Sequence, residues 1–397
     1  MNRPLVKKEQ LDFLDWEFGA FFHFGIRTFY EGHVDWDLKE MPLEGFNPTE
    51  LDCENWIDAI ARAGMKYAVL VCKHHDGFAN WPSAYTDYSV KNTPWKNGEG
   101  DVVREFTEAC RRHNVKVGFY YSPAQFGSAK MDAAEYDNYF INQISELLTN
   151  YGKIDYLWFD GCGSDGHTYD FPRIVSEIRR MQPEILIFNM GDPDTCWCGN
   201  EDGYCVTPNF NFREYEGEKR FLPYECDCRI RRSWFYFDAD KGTQKSLNQL
   251  MGMYLNSVGK GANMLLNIAP DRRGLLPEED IEAVIAFGDE IKRRFGSPLA
   301  TVTTPTLQNN KITVSFDRGQ EVNAVVLTEN PASETPITGV KVYAGVYYVN
   351  DRVPVQMATA QTVGHKAIIT FPAIITQEIT VEIECGGTPE LTSVSVC

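Results

Sequence analysis

Ile154-Asp155-Tyr156-Leu157-Trp158-Phe159-Asp160-Gly161 reads as an apolar strand that stops on a carboxylate and a glycine. A strand this apolar needs cover on both faces, as in a parallel sheet flanked by helices. Its terminal acid falls where packed sheet gives way to an open rim. In barrel enzymes that rim carries the chemistry, because loops there shape a pocket over rigid strands. Asp160 is therefore a candidate catalytic group, beside the commoner role of capping the next turn.

The same pattern recurs outward from this segment. Runs at 17–24, 67–73, 117–122, 185–189 and 263–267 are apolar in body and polar at the exit. Their exits carry His23, then His74-His75-Asp76, Tyr121-Ser122, Asn189 and Asn267. Between them lie helical periods. Tyr136, Phe140, Ile144 and Leu148 recur every fourth residue, as a buried helix stripe requires. Segments 51–64, 102–114, 171–182 and 244–258 read alike, the first ending on Gly64 as a C-cap. Strands alternating with helices through roughly 300 residues predict an α/β fold of the (β/α)8-barrel type. No glycine-rich phosphate loop follows any of these strands, so a nucleotide-binding sheet loses its best support.

Past Phe295-Gly296-Ser297-Pro298 the period changes to alternation, with Ile312, Val314 and Phe316, then Ile379, Val381 and Ile383. This predicts a barrel over residues 1–297 followed by a small antiparallel β-sandwich over 298–397. A net charge of −18 repels phosphate backbones and anionic membranes, which argues against nucleic acid or a membrane as partner. The stretch 18–24 is too short for a membrane span or a signal core. Eleven scattered cysteines suggest reduced thiols in a cytoplasmic protein.

Several of the 8 Trp fall beside polar exits, where flat apolar faces suit the C–H surface of a sugar ring. Glycoside hydrolysis needs two carboxyl groups. With Asp160 as the first, the second is sought in an aromatic, glycine-punctuated loop, where low polarity keeps a carboxyl protonated. Cys196-Trp197-Cys198-Gly199-Asn200-Glu201-Asp202-Gly203-Tyr204 fits best and makes Glu201 the candidate. Glu225 is its rival, and Glu214 and Glu216 are weaker ones. Two other readings stay open. The His pair at 74–75 suits a structural hydrogen-bonding element or a metal site, and Cys196, Cys198, Cys226 and Cys228 suit zinc or a disulfide, although C-x-C is tighter than the usual zinc hook.

Five motifs, in order, resemble glycoside hydrolase family twenty-nine, the retaining α-L-fucosidases. They are Ala20-Phe21-Phe22-His23-Phe24-Gly25, Phe46-Asn47-Pro48-Thr49, Lys73-His74-His75-Asp76-Gly77-Phe78, Tyr120-Tyr121-Ser122-Pro123 and Leu157-Trp158-Phe159-Asp160-Gly161. Gly199-Asn200-Glu201-Asp202-Gly203 and the segments from Glu225 to Tyr236 and Asn263 to Gly274 resemble its α-1,3/1,4-selective subfamily. The resemblance implies Asp160 as nucleophile and Glu201 as general acid/base. It further implies His23, His74, His75, Tyr121, Trp158, Arg231 and Trp234 around the fucose. Asp35 and Trp36 stand where many relatives carry a Glu-Trp pair. No cofactor or metal is implied. The expected partner is a fucosylated oligosaccharide, and an oligomer is compatible. A catalytically silent glycan-binding protein on the same scaffold and a metal-dependent barrel hydrolase are the alternatives.

Overall fold

The computed structural model describes residues 6–34, 36–126, 130–349 and 351–397. Among the described residues, ten strands and seven α-helices build its first part. The strands are β1 (Phe18–Phe22), β2 (Tyr67–Lys73), β3 (Lys116–Tyr121), β4 (Tyr156–Phe159), β5 (Leu186–Phe188), β6 (Cys196–Trp197), β7 (Phe212–Tyr215), β8 (Glu218–Phe221), β9 (Tyr224–Arg229) and β10 (Asn263–Asn267). The helices are α1 (Lys8–Trp16), α2 (Cys53–Arg62), α3 (Val102–Arg112), α4 (Ala133–Asn150), α5 (Phe171–Met181), α6 (Leu247–Asn256) and α7 (Glu278–Phe295). Eight strands form one parallel sheet in the order β5-β4-β3-β2-β1-β10-β9-β6. A parallel bridge from Phe188 to Thr195, just before β6, brings the two edges together and nearly closes the barrel. Strands β7 and β8 make a separate hairpin.

Local chemistry sets where the helices begin. Asp52, Asp101, Asp132, Asp170 and Ser246 each accept a backbone N–H in the first turn of α2, α3, α4, α5 and α6. Such caps satisfy amides that have no partner inside the helix.

Alternation along the strands then separates two cores. Ala20, Phe22, Leu70, Cys72, Phe119, Tyr121, Leu157 and Phe159 point outward into the layer beneath the helices. Phe21, Tyr67, Val69, Val71, Tyr120, Tyr156, Trp158, Leu186, Phe188 and Leu265 point inward and fill the barrel. Phe13 and Trp16 of α1 plug its lower end, their rings 5.3–6.0 Å from Tyr67 and Tyr156 in the closest pairs. This packing leaves the C-terminal ends of the strands as the open face.

The C-terminal part is antiparallel. Strands β11 (Ala300–Thr303), β12 (Lys311–Glu329), β13 (Ile337–Tyr348), β14 (Asp351–Ala360), β15 (Lys366–Cys385) and β16 (Leu391–Val396) form a six-stranded sheet ordered β11-β16-β12-β15-β13-β14. The alternating residues meet as expected, Ile312 opposite Val381 and Val314 opposite Ile379. Register shifts in the long β12–β15 pair bend the sheet around a core that includes Val322, Leu327, Val342 and Val394. The sheet joins the barrel through Lys366–Glu17, Lys260–Ala367 and the Ile368 amide on the Gly259 carbonyl. Residues 17 and 259–260 precede β1 and β10, so the attachment lies at the end opposite the open face. Helix α7 ends at Phe295 and β11 begins at Ala300. Residue 297 stays our proposed division.

Candidate active site

Because inward positions alternate, the residue that follows an inward strand end by two is also inward. Asp160 follows Trp158, and His23 follows Phe21. Both reach a cavity of about 330 Å3 at the open face. His74, His75, Tyr120, Asn189, Trp197, Glu201, Asp227 and Trp234 line it with them.

Asp160 is held from two sides. Tyr120 Oη donates to Oδ2 at 2.7 Å, and the Cys162 amide donates to Oδ1 at 2.8 Å. His75 Nε2 stands 3.6 Å from Oδ2. The side chain keeps 25% exposure to the cavity. The His75 ring is itself fixed: Ser122 Oγ donates to the Ala124 carbonyl, so it accepts from His75 Nδ1 at 2.6 Å.

The imidazoles of His23 and His74 are held neutral by burial. Asn267 Nδ2 donates to the Trp234 carbonyl, so its Oδ1 accepts from His23 Nδ1 at 2.8 Å. His23 Nε2 is thereby an acceptor, and burial lowers the ring to about 3. Burial, then the neighbouring His75 and His23, also lowers His74, whose Nδ1 has no hydrogen-bond partner among the described residues. Aromatic faces complete the walls. Trp158 stacks on Phe188 at 4.2 Å and on Tyr120 at 5.4 Å, and Trp234 lies 4.9 Å from His23.

Glu201 comes from the loop after β6, at the mouth, 44% exposed and 3.3 Å from Arg229 Nη2. Its rival Glu225 lies below. The Glu225 carboxyl is fully buried and accepts from Tyr67 Oη (2.7 Å), Trp158 Nε1 (2.8 Å) and Tyr156 Oη (3.2 Å). Burial raises it to about 7 against those three donors. It props Trp158 from beneath and does not line the cavity. Glu214 and Glu216 belong to the β7–β8 hairpin and are likewise outside the lining.

Two expected residues lie elsewhere. Tyr121 faces outward, donating to Gln143 Oε1 at 2.8 Å and stacking on Phe140 at 4.9 Å. Its neighbour Tyr120 is the one in the pocket, since adjacent strand residues take opposite faces. Arg231 is buried against α7, with Nε 2.7 Å from Asp280 and Nη2 2.8 Å from Glu279. Arg229, two residues earlier, takes the place beside the cavity, over the Trp234 ring at 4.9 Å. Trp36 stands at the rim, 5.4 Å from the His75 ring, and a Cβ on Gly163 would run into it. Asp35 lies outside the described residues.

Sequence reasoning also missed Trp197, Asp227 and Arg229. For Asp227 and Arg229 the signal was present in Glu225-Cys226-Asp227-Cys228-Arg229, whose polar members alternate as one face of a strand does. The cysteines of that strand point outward. Cys226 is in hydrogen-bonding contact with Cys198 and Cys205, and all eleven cysteines are free thiols. Among the described residues no group of three or more His, Cys, Asp or Glu is arranged to hold a metal ion. No described helix is long and apolar enough to cross a membrane.

Residues 4–294 match the family model described as Alpha-L-fucosidase. Alpha-L-fucosidase 1 of Arabidopsis thaliana is 34% identical over 322 residues, which are 75% of this chain and 62% of the plant protein. Tissue alpha-L-fucosidase of Homo sapiens is 27% identical over 258 residues, 59% of this chain and 52% of the human one. The crystal structure of a glycoside hydrolase 29 family member from an unknown rumen bacterium superposes with a TM-score of 0.90 at 32% identity. That match covers 99% of this chain and 77% of the bacterial one. The chain thus spans 62% of the length of the plant relative and about half that of the human one.

Proposed function

Because the chain belongs to the alpha-L-fucosidase family, we propose that it is a retaining exo-α-L-fucosidase, releasing terminal α-1,3/1,4-linked fucose from oligosaccharides by double displacement. The observation that carries this reading is Asp160. Its two oxygens are held by Tyr120 and the Cys162 amide, and it shares one cavity with Glu201. Orienting a nucleophile before the sugar arrives removes part of the entropic cost of the reaction.

In the first step Asp160 attacks the anomeric carbon while Glu201 gives a proton to the departing oxygen. In the second, Glu201 takes a proton from water as that water cleaves the glycosyl-enzyme. His23 Nε2 accepts a hydrogen bond from a sugar hydroxyl without the desolvation cost of a charge. The faces of Trp158 and Trp234 receive the apolar side of a deoxy sugar. The Gly199–Gly203 loop supports the linkage assignment through its likeness to the α-1,3/1,4-selective branch. The free thiols fit a reducing, cytoplasmic setting. Incubation with a Lewis-type trisaccharide, followed by NMR of the first-formed sugar, tests the proposal. α-L-Fucose is expected first. Initial release of the β-anomer contradicts retention, and no release contradicts the activity.

A further inference from the structure

Strand β9 sends three ionisable side chains up one inner wall of the barrel. Glu225 lies at the level of the packed core, Asp227 one step above it, and Arg229 at the rim. The sugar-hydrolase reading uses Glu201 and leaves Asp227 without a task. Yet Asp227 lines the same cavity and is 4% exposed.

Its surroundings decide its state. From β6, Trp197 Nε1 donates to Asp227 Oδ1 at 2.7 Å. From β10, the residue in register is Leu265, which is apolar and fully buried. From the loop above, Glu201 faces it, and from its own strand Glu225 lies below. Both carboxyls, when charged, oppose a third. Cys228 occupies the outer face of the strand. The guanidinium nearest on its own strand, Arg229, pairs with Glu201, and none of the ion pairs among the described residues includes Asp227. A carboxylate buried without a cation beside other carboxylates retains its proton. Burial raises Asp227 to about 8, with Glu201 and Glu225 adding to the rise and Trp197 opposing it.

We propose that Asp227 is a substrate-binding residue acting as a neutral carboxylic acid: Oδ1 accepts the hydrogen bond from Trp197 Nε1, and the protonated Oδ2 donates a hydrogen bond to a hydroxyl of the bound sugar. The inference rests on the fucosidase reading for the identity of that sugar. It makes β9 a wall whose lower carboxyl positions Trp158, whose middle carboxyl holds both Trp197 and the ligand, and whose guanidinium orients Glu201. A carboxylic acid with one accepting and one donating oxygen has the same hydrogen-bonding pattern as a carboxamide. Asparagine is therefore its natural mimic.

Calorimetric titration of L-fucose into wild-type, Asp227→Asn, Asp227→Leu and Trp197→Phe proteins between pH 6 and 9 tests this. The Asn variant should keep wild-type affinity at pH 6–7 within about 3-fold. The Leu variant, unable to donate, should bind about 10-fold more weakly than wild type at pH 6–7 and show no fall at higher pH. Wild-type affinity should fall above about pH 8, as the proton is lost, and that fall should be missing from the Asn variant. A merely structural prop for Trp197 would instead give equal losses for Asp227→Leu and Trp197→Phe and no pH-dependent difference between wild-type and Asn. Collapse of fucose binding in Asp227→Asn while wild-type binds overturns the assignment alone. Absence of fucose binding by wild-type overturns the sugar reading and this proposal with it. The Asn arm decides even if the Leu variant fails to fold.

Discussion

Arg229 Nη2 lies 3.3 Å from Glu201 Oε2, and the same guanidinium stands over the Trp234 ring at 4.9 Å. One strand-borne cation thus joins the loop acid to an aromatic wall of the pocket. Both partners of the pair are partly exposed, so it contributes only about 0–1 kcal/mol to stability. Its value lies in where it holds the carboxyl.

Arg229→Met should therefore leave thermal stability nearly unchanged and lower kcat/KM on a fucosylated trisaccharide about 10-fold. Thermal melts and steady-state kinetics on one preparation check both. A large drop in the melting temperature with normal kinetics would make the pair structural.

Glu201 should matter in proportion to how badly the leaving group needs a proton. Glu201→Gln should lose ~10²–10⁴-fold on a natural glycan and far less on a nitrophenyl fucoside, whose leaving group departs unaided. Azide should rescue Glu201→Ala with the activated substrate and yield an α-fucosyl azide, the anomer that two inversions produce. If Glu225→Ala gives this signature instead, the buried carboxyl is the acid.

Glu225 makes a stability prediction. Its folded value of about 7 lies above the ordinary carboxyl range, so between about pH 4.5 and 7 the folded state keeps a proton that the unfolded chain releases. Stability from this group is greatest below that window and falls as pH rises through it, by up to ~1.4 kcal/mol per pH unit. The buried neutral imidazoles His23 and His33 act in the opposite sense, adding stability as pH rises from about 3–4 towards 6.5. The comparison must therefore be with Glu225→Gln, in which the decline between pH 4.5 and 7 should flatten. Urea unfolding across that range reads it directly, and an unchanged slope would mean that Glu225 is ionised in the fold.

Linkage preference follows from the proposed subfamily. A Lewis-type trisaccharide should be cleaved with higher kcat/KM than 2′-fucosyllactose or an aryl fucoside. Faster cleavage of 2′-fucosyllactose would place the enzyme with the broad-specificity branch.

How much of this was legible before the structure depends on which face a residue takes. Asp160, His23 and the His74-His75 pair end strands whose bodies are apolar on both sides, and the exit of such a strand is readable from composition alone. Tyr120 and Tyr121 sit side by side, and a one-residue difference exchanges pocket for helix layer. Counting inward by twos from Gly118 would have selected Tyr120. Arg229 and Arg231 were confused across the end of β9, where the chain leaves the strand and the two-residue period stops applying. Strand β9 itself was hidden because its inner face is Glu225, Asp227 and Arg229, so it reads as a polar loop. A barrel strand whose interior face meets substrate gives up the apolar pattern that would identify it. The C-terminal sheet faces its own core and kept a clear alternation.

The central claim is that Asp160 forms the covalent bond to the sugar. Incubation with 2-deoxy-2-fluoro-fucosyl fluoride tests it most directly, because the fluorine at C2 slows both steps while the good fluoride leaving group keeps the first fast enough for the glycosyl-enzyme to accumulate. Peptide mapping by mass spectrometry should find one fluorofucosyl group, carried on Asp160, and Asp160→Ala should take up none while losing ~10³-fold or more of kcat. A label on another carboxylate, or turnover without any adduct, contradicts the account.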